Sequence, residues 1–416
     1  MLSSLRWRRR VGREEREAAM ASAGRVVVAS RLYEPEAGAA AFRLRAVVRA
    51  LDDAGYETTV LTTRPPSGLR SIDRVRRWPV LRDRSGAVRG YLQYASFDLP
   101  LLLRLLTVRR PHVVIVEPPP TTGVVCRIVC ALRRIPYIYF SADVTSRAAR
   151  GIGVNRIVVA MLEKTERWVL RGASAVLAVS EGVRREVVKL GADPARVSVV
   201  GTGIDTDLFT RSGAAARVDY PYLVYAGTMS EIHGASVFVE AFGRVAAKFP
   251  TARLMLFGQG VELASLRIIA ADSAPGQVDF PGLVGADEIA RWIRGANAGL
   301  ASVRPGRGYD FAYATKAFVA ASCGTPVLYS GVGPARELID SNGLGWTTEW
   351  DVEQVARAMD EALTTSPDPA TRERLSAWAA QNVSLRGVGN RAVTVVDRVC
   401  RRSQPVELGQ REDPHG

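Results

Sequence analysis

The chain is poor in the residues on which metal and thiol chemistry depend. Only three histidines occur in 416 residues, His112, His233 and His415. A histidine-based metal centre is therefore not expected. The four cysteines, Cys126, Cys130, Cys323 and Cys400, follow neither disulfide-framework nor zinc-ligand spacing. Cys126 and Cys130 stand four apart in an apolar helical stretch, which reads as buried reduced thiol. No run reaches the roughly 18–20 consecutive apolar residues that a membrane span requires. The basic N-terminus is not followed by the apolar core of a secretory signal, so a cytoplasmic location is expected.

What is present is a soluble-type composition, with 47% apolar and 24% charged residues. A chain of this length is too long for one ordinary core, and two domains of roughly 200 residues each are expected. The formal charge is +14, and it is unevenly placed. One basic cluster is LRWRRRVGR at 5–13. A second runs from Arg64 to Arg110, where arginines recur against only Asp73, Asp83 and Asp98. Trp and Leu accompany both. Such clusters suit an anionic membrane surface or a polyanion, or form a solvated arginine-rich face.

Hydrophobic periodicity indicates an alternating α/β chain. Residues 1–23 read as a flexible basic leader, within which Met20 is an alternative start. RVVVAS (25–30) has the β-branched character of a buried strand. The loop YEPEAGA, a helix over about 40–54 ended by Gly55, and the strand ETTVLT (57–62) complete a βαβ unit, which points to a parallel sheet. HVVIVE (112–117), PYIYFSAD (136–143), SAVLAVS (174–180) and VSVVG continue the strands, with helices between them. Residues 202–220 break the pattern and read as a linker. A second series then starts with YLVYAG (222–227), ARLMLFG (252–258), VDFPG (278–282), AGLASV (298–303) and PVLYS (326–330). The organisation expected is a first Rossmann-like domain at 24–205, a second at 206–384, a helix at 385–402 packing back on the first, and a flexible tail at 403–416. Two α/β Rossmann-like domains facing a cleft are the result.

Each half places a glycine-containing loop between its first strand and the following helix. The first contains Gly38, with Arg43 about a turn into the helix. The second, AGTMSEIHGA, contains Gly227, Thr228, His233 and Gly234. In open α/β sheets ligands bind at this edge, and a helix N-terminus there offers free N–H groups to a phosphate. Neither loop is G-x-G-x-x-G, which disfavours a dinucleotide.

Four stretches together resemble the family 4 glycosyltransferases of the GT-B fold. They are YEPEAGAAAFRLRAVVRALDDAGYETTVLT, SAVLAVSEGVRREVVKLGADPARVSVVGTGIDTDLF, AGTMSEIHGA and TKAFVAASCGTPVLYSGVGPARELI, and the resemblance spans about residues 25–400. It implies retaining transfer of a sugar from a nucleoside diphosphate donor, with no cofactor and no metal. It further implies that Gly38 lies near the donor phosphate and sugar. Thr228 stands where the family usually has arginine and His233 where it has lysine, both diphosphate ligands. Lys316 matches the lysine of a K-x-x-E segment, and Gly258 and Gly260 match the turn that passes the nucleotide. Asp143 lies at the strand end where acceptor-side groups collect, with Arg43 on the same side.

The chain departs from the family at the paired glutamates, whose positions fall on Phe311 and Val319. Asp310, one place before the first, is the alternative contact to the donor sugar. Tyr309, Asp310 and Lys316 are expected to converge beside the cleft. Asp143, His233 and Lys316 are the candidate catalytic groups. Each has a plainer reading: Asp143 as a cap for the following segment, His233 as a turn filler, Lys316 as a surface lysine. Glu117 reads as a strand-end charge, and Arg304 and Arg307 as donor-loop or solvated residues. The expected partners are a nucleotide sugar, a lipid-linked acceptor and an anionic membrane surface. Specific nucleic-acid binding is not expected, because no aromatic-interleaved recognition module is present. A non-catalytic GT-B subunit is the second reading.

Overall fold

The computed structural model describes residues 23–36, 39–66, 74–83, 86–88, 90–151, 154–307, 309–310 and 313–403. Apart from Ala23 and Ser403, the leader and tail read from the sequence lie outside the described residues.

The first domain runs β1 (Gly24–Ala29), α1 (Ala39–Asp53), β2 (Tyr56–Thr63), β3 (Val75–Trp78), α2 (Tyr91–Thr107), β4 (Val113–Val116), α3 (Pro120–Arg133), β5 (Tyr137–Ser141), α4 (Thr145–Gly151), α5 (Arg156–Gly172), β6 (Ala175–Ala178), α6 (Glu181–Lys189) and β7 (Val197–Val199). The second begins at β8 (Tyr222–Ala226) and continues α7 (Ser236–Val245), β9 (Arg253–Phe257), α8 (Leu263–Ser273), β10 (Val278–Gly282), α9 (Ala286–Gly295) and β11 (Ala298–Val303). It ends with α10 (Thr315–Ser322), β12 (Val327–Gly331), α11 (Pro334–Ser341), β13 (Gly345–Thr348), α12 (Val352–Thr364) and α13 (Pro369–Asn382), after which α14 (Leu385–Ser403) follows.

All pairings within the two sheets are parallel. A parallel sheet needs helices on both faces, so its central strands are apolar along their whole length and do not alternate. Val26, Val27 and Val28 of β1 are accordingly all buried, as is every residue of β11. Local chemistry sets several helix starts. The Ser180 hydroxyl accepts from Val183 N at 3.1 Å to open α6, and Asp351 accepts from Gln354 N at 2.8 Å to open α12. Pro120 opens α3 at a position where no amide hydrogen is required.

The strand orders are β3-β2-β1-β4-β5-β6-β7 and β10-β9-β8-β11-β12-β13. Each order reverses once, between β1 and β4 and between β8 and β11. At such a reversal neighbouring loops leave the sheet in opposite directions and open a crevice at the carboxyl edge. This is the doubly wound pair of α/β domains that the periodicity indicates.

The chain crosses between the domains twice, and the crossings touch. Ile204 N–H bonds Val383 O at 2.8 Å, and Leu385 N–H bonds Ile204 O at 2.9 Å. Beyond the second crossing, α14 packs along α1. Its Val388, Ala392, Val395, Val396 and Val399 belong to the first domain's core. Gly389 lets the two helices touch, since a Cβ there would meet Ala46 O at 2.7 Å.

Candidate functional site

In the second domain the site is built around the turn after β8. Gly227 has φ +150°, and a Cβ on it would lie 2.2 Å from Lys316 Cε. The lysine, in the first turn of α10, therefore lies directly across the glycine. Its Nζ stands 5.6 Å from the centre of the Tyr225 ring, and the Tyr225 hydroxyl donates to Thr228 O at 2.8 Å. Among the described residues no acidic side chain pairs with this ammonium. Burial alone lowers Lys316 from 10.5 to about 8, because the charged form loses hydration that no carboxylate replaces. Lys316 also lines a cavity of about 310 Å³, whose wall includes Gly227, Thr228 and Thr315 together with Ile289, Ile293 and Val319.

The turn after β9 nests against this loop. A Cβ on Gly258 would fall 2.1 Å from Gly227 O, and one on Gly260 would fall 2.0 Å from Met229 O. Met229 N–H donates to Gln259 O at 3.0 Å and closes the pair. Both glycines thus act through close backbone approach. Gly234, with φ +54°, is covered by the Trp350 indole, which a Cβ would meet at 2.5 Å.

His233 sits inside the same loop, and Ser302 Oγ donates to its carbonyl at 2.5 Å. Burial first, and then the neighbouring Lys316 charge, lower its imidazole from 6.5 to about 4. His233 is therefore neutral at pH 7 and adds no positive charge. Its Nδ1 is buried without a hydrogen-bond partner. Arg304 lies 6.0 Å over the Trp350 ring, and Arg307 pairs with Glu231 at 3.8 Å, so both belong to the surroundings of this loop.

Asp310 accepts from Gly306 N at 3.1 Å and braces its own loop. It lines a different cavity, of about 690 Å³, between the domains, where Arg147, Arg185 and Lys189 face Gly333 and Glu337. The expected convergence is thus divided: Lys316 meets Gly227 and Thr228, while Asp310 faces the first domain. Tyr309 adjoins Asp310 in the same loop.

In the first domain Gly38 lies outside the described residues. Arg43 is buried: Nη2 donates to Glu117 Oε1 at 3.1 Å, and Ser30 Oγ donates to Glu117 Oε2 at 3.0 Å. Arg43, expected on the acceptor side, thus holds Glu117 at the sheet's reversal point. Burial pushes the Glu117 carboxyl up, and Arg43 pulls it back. Asp143 follows β5, reachable from solvent yet largely surrounded by protein. Its pKa is raised by that burial against the pull of Arg43 and Arg31. It does not cap the next helix. Glu166 does, accepting from Thr145 N at 2.8 Å and Ser146 N at 3.1 Å. Among the described residues no group of three or more His, Cys, Asp or Glu side chains is placed to hold a metal ion.

Two domain models match the chain: a glycosyl transferase 4-like domain over residues 38–203 and a glycosyl transferases group 1 domain over 220–365. Between them they take in both α/β domains. The chain belongs to the family 4 type of GT-B glycosyltransferases. A D-inositol 3-phosphate glycosyltransferase of Nocardioides sp. is 29% identical over 245 residues, 53% of this chain and 52% of that protein. The chain thus spans about half the length of the curated relatives that it matches. Among solved structures, sucrose-phosphate synthase from Thermosynechococcus elongatus covers 91% of the chain and 100% of its own, with TM-score 0.72 and 16% identity. The Anabaena protein HepE, solved with UDP-glucose, covers 90% of this chain and 100% of its own at TM-score 0.64 and 14% identity. These likenesses concern the fold.

The two positions of the missing glutamates have different standing. Phe311 lies outside the described residues, whereas Val319 lines the cavity beside Lys316. The sequence reading set Glu117 aside as a strand-end charge and did not single out Glu166. For Glu117 the signal was available: it directly follows β4, one of the strands at the reversal. Glu166 lies mid-helix in α5, and no local pattern distinguishes it from a surface glutamate.

Proposed function

We propose that the chain transfers a hexose from a nucleoside diphosphate sugar, with retention of configuration and without a metal, to a lipid-linked or cell-surface polysaccharide acceptor. The observation that carries this reading is Lys316, a cation laid across the Gly227 turn after β8 and lining the adjoining cavity. Cleavage of the anomeric C–O bond leaves negative charge on a diphosphate. A preorganised positive field at that point is worth several kcal/mol in a water-poor site. Lys316 and the amides of the Gly227–Gly234 loop supply it in this reading, and neutral His233 adds at most a hydrogen bond. Asp143, across the cleft, orients the acceptor hydroxyl. The UDP-glucose held by HepE is a donor of the proposed class, whereas the curated relative is named for a different kind of acceptor, D-inositol 3-phosphate.

A thermal-shift screen of UDP, GDP, dTDP and their sugars identifies the donor, because a ligand that prefers the native state raises its midpoint. With that donor, Lys316→Ala is expected to lower turnover at least ~10-fold, the size of one lost charge contact. Unchanged turnover removes Lys316 from the site. Val319, apolar where the family carries a carboxylate, favours a second reading as a nucleotide-binding subunit without catalysis. A midpoint shift with no turnover across the donor panel selects that reading.

A further inference from the structure

We propose that the helical layer formed by α2, α3 and α5 docks on an anionic lipid membrane. In this layer α2 packs on α3 and α3 on α5, whereas α1 and α14 pack together elsewhere. Right-handed crossovers place connections that step in opposite directions on opposite faces of the sheet, which separates the two layers.

The outer side of α2 carries Leu92, Leu99, Leu103 and Leu106, exposed by 73%, 70%, 63% and 39%. Their spacing puts them on one stripe of the helix. Trp78 and Leu81 extend the stripe sideways. Arg104 lies 6.0 Å over the Trp78 ring, and Leu81 N–H bonds Ser96 Oγ at 3.0 Å. On α5, Ile157, Met161, Lys164 and Trp168 make a second stripe at the same kind of spacing, and Leu132 of α3 stands exposed.

The charges on the layer have one sign. Of the seven arginines and lysines in the three helices, Arg104, Arg127 and Arg133 are held by partners, and Arg156, Lys164, Arg167 and Arg171 of α5 are exposed. The acids are three, Asp98, Glu163 and Glu166. None of those acids is free at the surface. Asp98 is buried and accepts from Thr122 at 2.6 Å, Glu166 caps α4, and Glu163 pairs with Arg150 at 2.5 Å. A surface of leucine, isoleucine and tryptophan, interleaved with cations and cleared of anions, complements an anionic lipid interface. A second copy of the chain is a poor occupant, since a two-fold pairing sets like charges against each other.

This surface overlaps the stretch 64–110 through α2, Trp78 and Leu81, but the arginines of that stretch are not what it presents. Much of that cluster is tied up internally: Arg82 pairs with Glu36 at 2.8 Å, Arg77 donates to Glu34 O at 2.8 Å, and Arg104 donates to Arg76 O at 2.5 Å. The contribution of α5 lies wholly outside it. In β–α–β units the helices run opposite to the strands, so the first turns of α2 and α5, with Leu92 and Ile157, lie toward the cleft edge. The cleft would then open next to the bilayer.

The test is flotation of the full chain with vesicles, with no nucleotide or sugar present, so its outcome is independent of catalysis. Partitioning is expected to be at least ~10-fold stronger on phosphatidylcholine–phosphatidylglycerol vesicles than on pure phosphatidylcholine, from about 1 kcal/mol per basic residue near the surface. Leu99→Gln with Leu103→Gln is expected to lower it at least ~10-fold, the effect of withdrawing buried leucines. Lys164→Glu should selectively reduce the preference for anionic lipid. Ile268→Gln, exposed on α8, should leave both unchanged. All these side chains are exposed, and circular dichroism melts verify the fold. Absence of flotation on both vesicles overturns the proposal. So does a Leu99→Gln/Leu103→Gln variant that floats like the parent, or light scattering that shows a dimer which this variant dissolves.

Discussion

A lysine amine moved from water into a protein interior is easier to deprotonate, and the interior is less stable for holding its charge. Lys316 shows both sides of this exchange. Its pKa of about 8 against 10.5 corresponds to roughly 3 kcal/mol of disfavoured charge. The sign follows from proton counting. Between about pH 8 and 10.5 the unfolded chain holds a proton that the folded chain has released. Stability from this group therefore rises with pH across that window, and the cost is full below pH 8. Affinity for a diphosphate has the opposite dependence, because the cation fades above pH 8. Lys316→Met is expected to raise Tm by at least ~2 °C while removing the nucleotide-induced shift. In the parent, nucleotide affinity should fall several-fold from pH 7 to pH 9, read by calorimetry at both values. A variant that melts lower and still binds nucleotide would falsify the assignment.

Among the elements, the two nested turns decide whether the donor loop keeps its shape. Gly260→Ala forces a Cβ to within 2.0 Å of Met229 O, and the intruding atom is resisted by backbone, which yields less readily than a side chain. Overpacking of this kind costs about 1–3 kcal/mol, a fall in Tm of roughly 3–10 °C. Gly285→Ala, where the added methyl meets nothing within 4 Å, is the control and should melt within ~1 °C of the parent. Strands such as RVVVAS and AGLASV were legible because a doubly covered strand must be apolar throughout. Other elements were not. VRRW (75–78) forms β3 at the sheet edge, where half its residues face water and leave no buried run. The helix α2 reads as a basic cluster with a proline, yet Pro100 is accommodated inside it. The short α11 and the edge strand β13 carry too few apolar residues to signal themselves. At the site, sequence spacing indicated the loops but not the pairings. The Arg43–Glu117 contact joins residues 74 apart, and only the strand order brings them together.

At the scale of the whole molecule, the last helix serves the first domain and not the second that precedes it. Val396 is fully buried among residues of β1, β4 and their helices. Val396→Asp places a charge there with no partner, and several kcal/mol of destabilisation are expected. Melting followed by two probes should separate the domains: the first transition moves down, while the transition of the second domain stays in place. Equal movement of both would show that the domains unfold as one unit.

The adjacency of the two crossings has an effect on biosynthesis. Because residues 385–403 complete a core begun at residue 24, the lobe that leaves the ribosome first is the last to close. The second lobe, contiguous in sequence, can close while its older neighbour still waits for its final helix. Throughout that interval the groove along α1 stays open, and any chaperone that shields nascent apolar surface has α1 as its natural target.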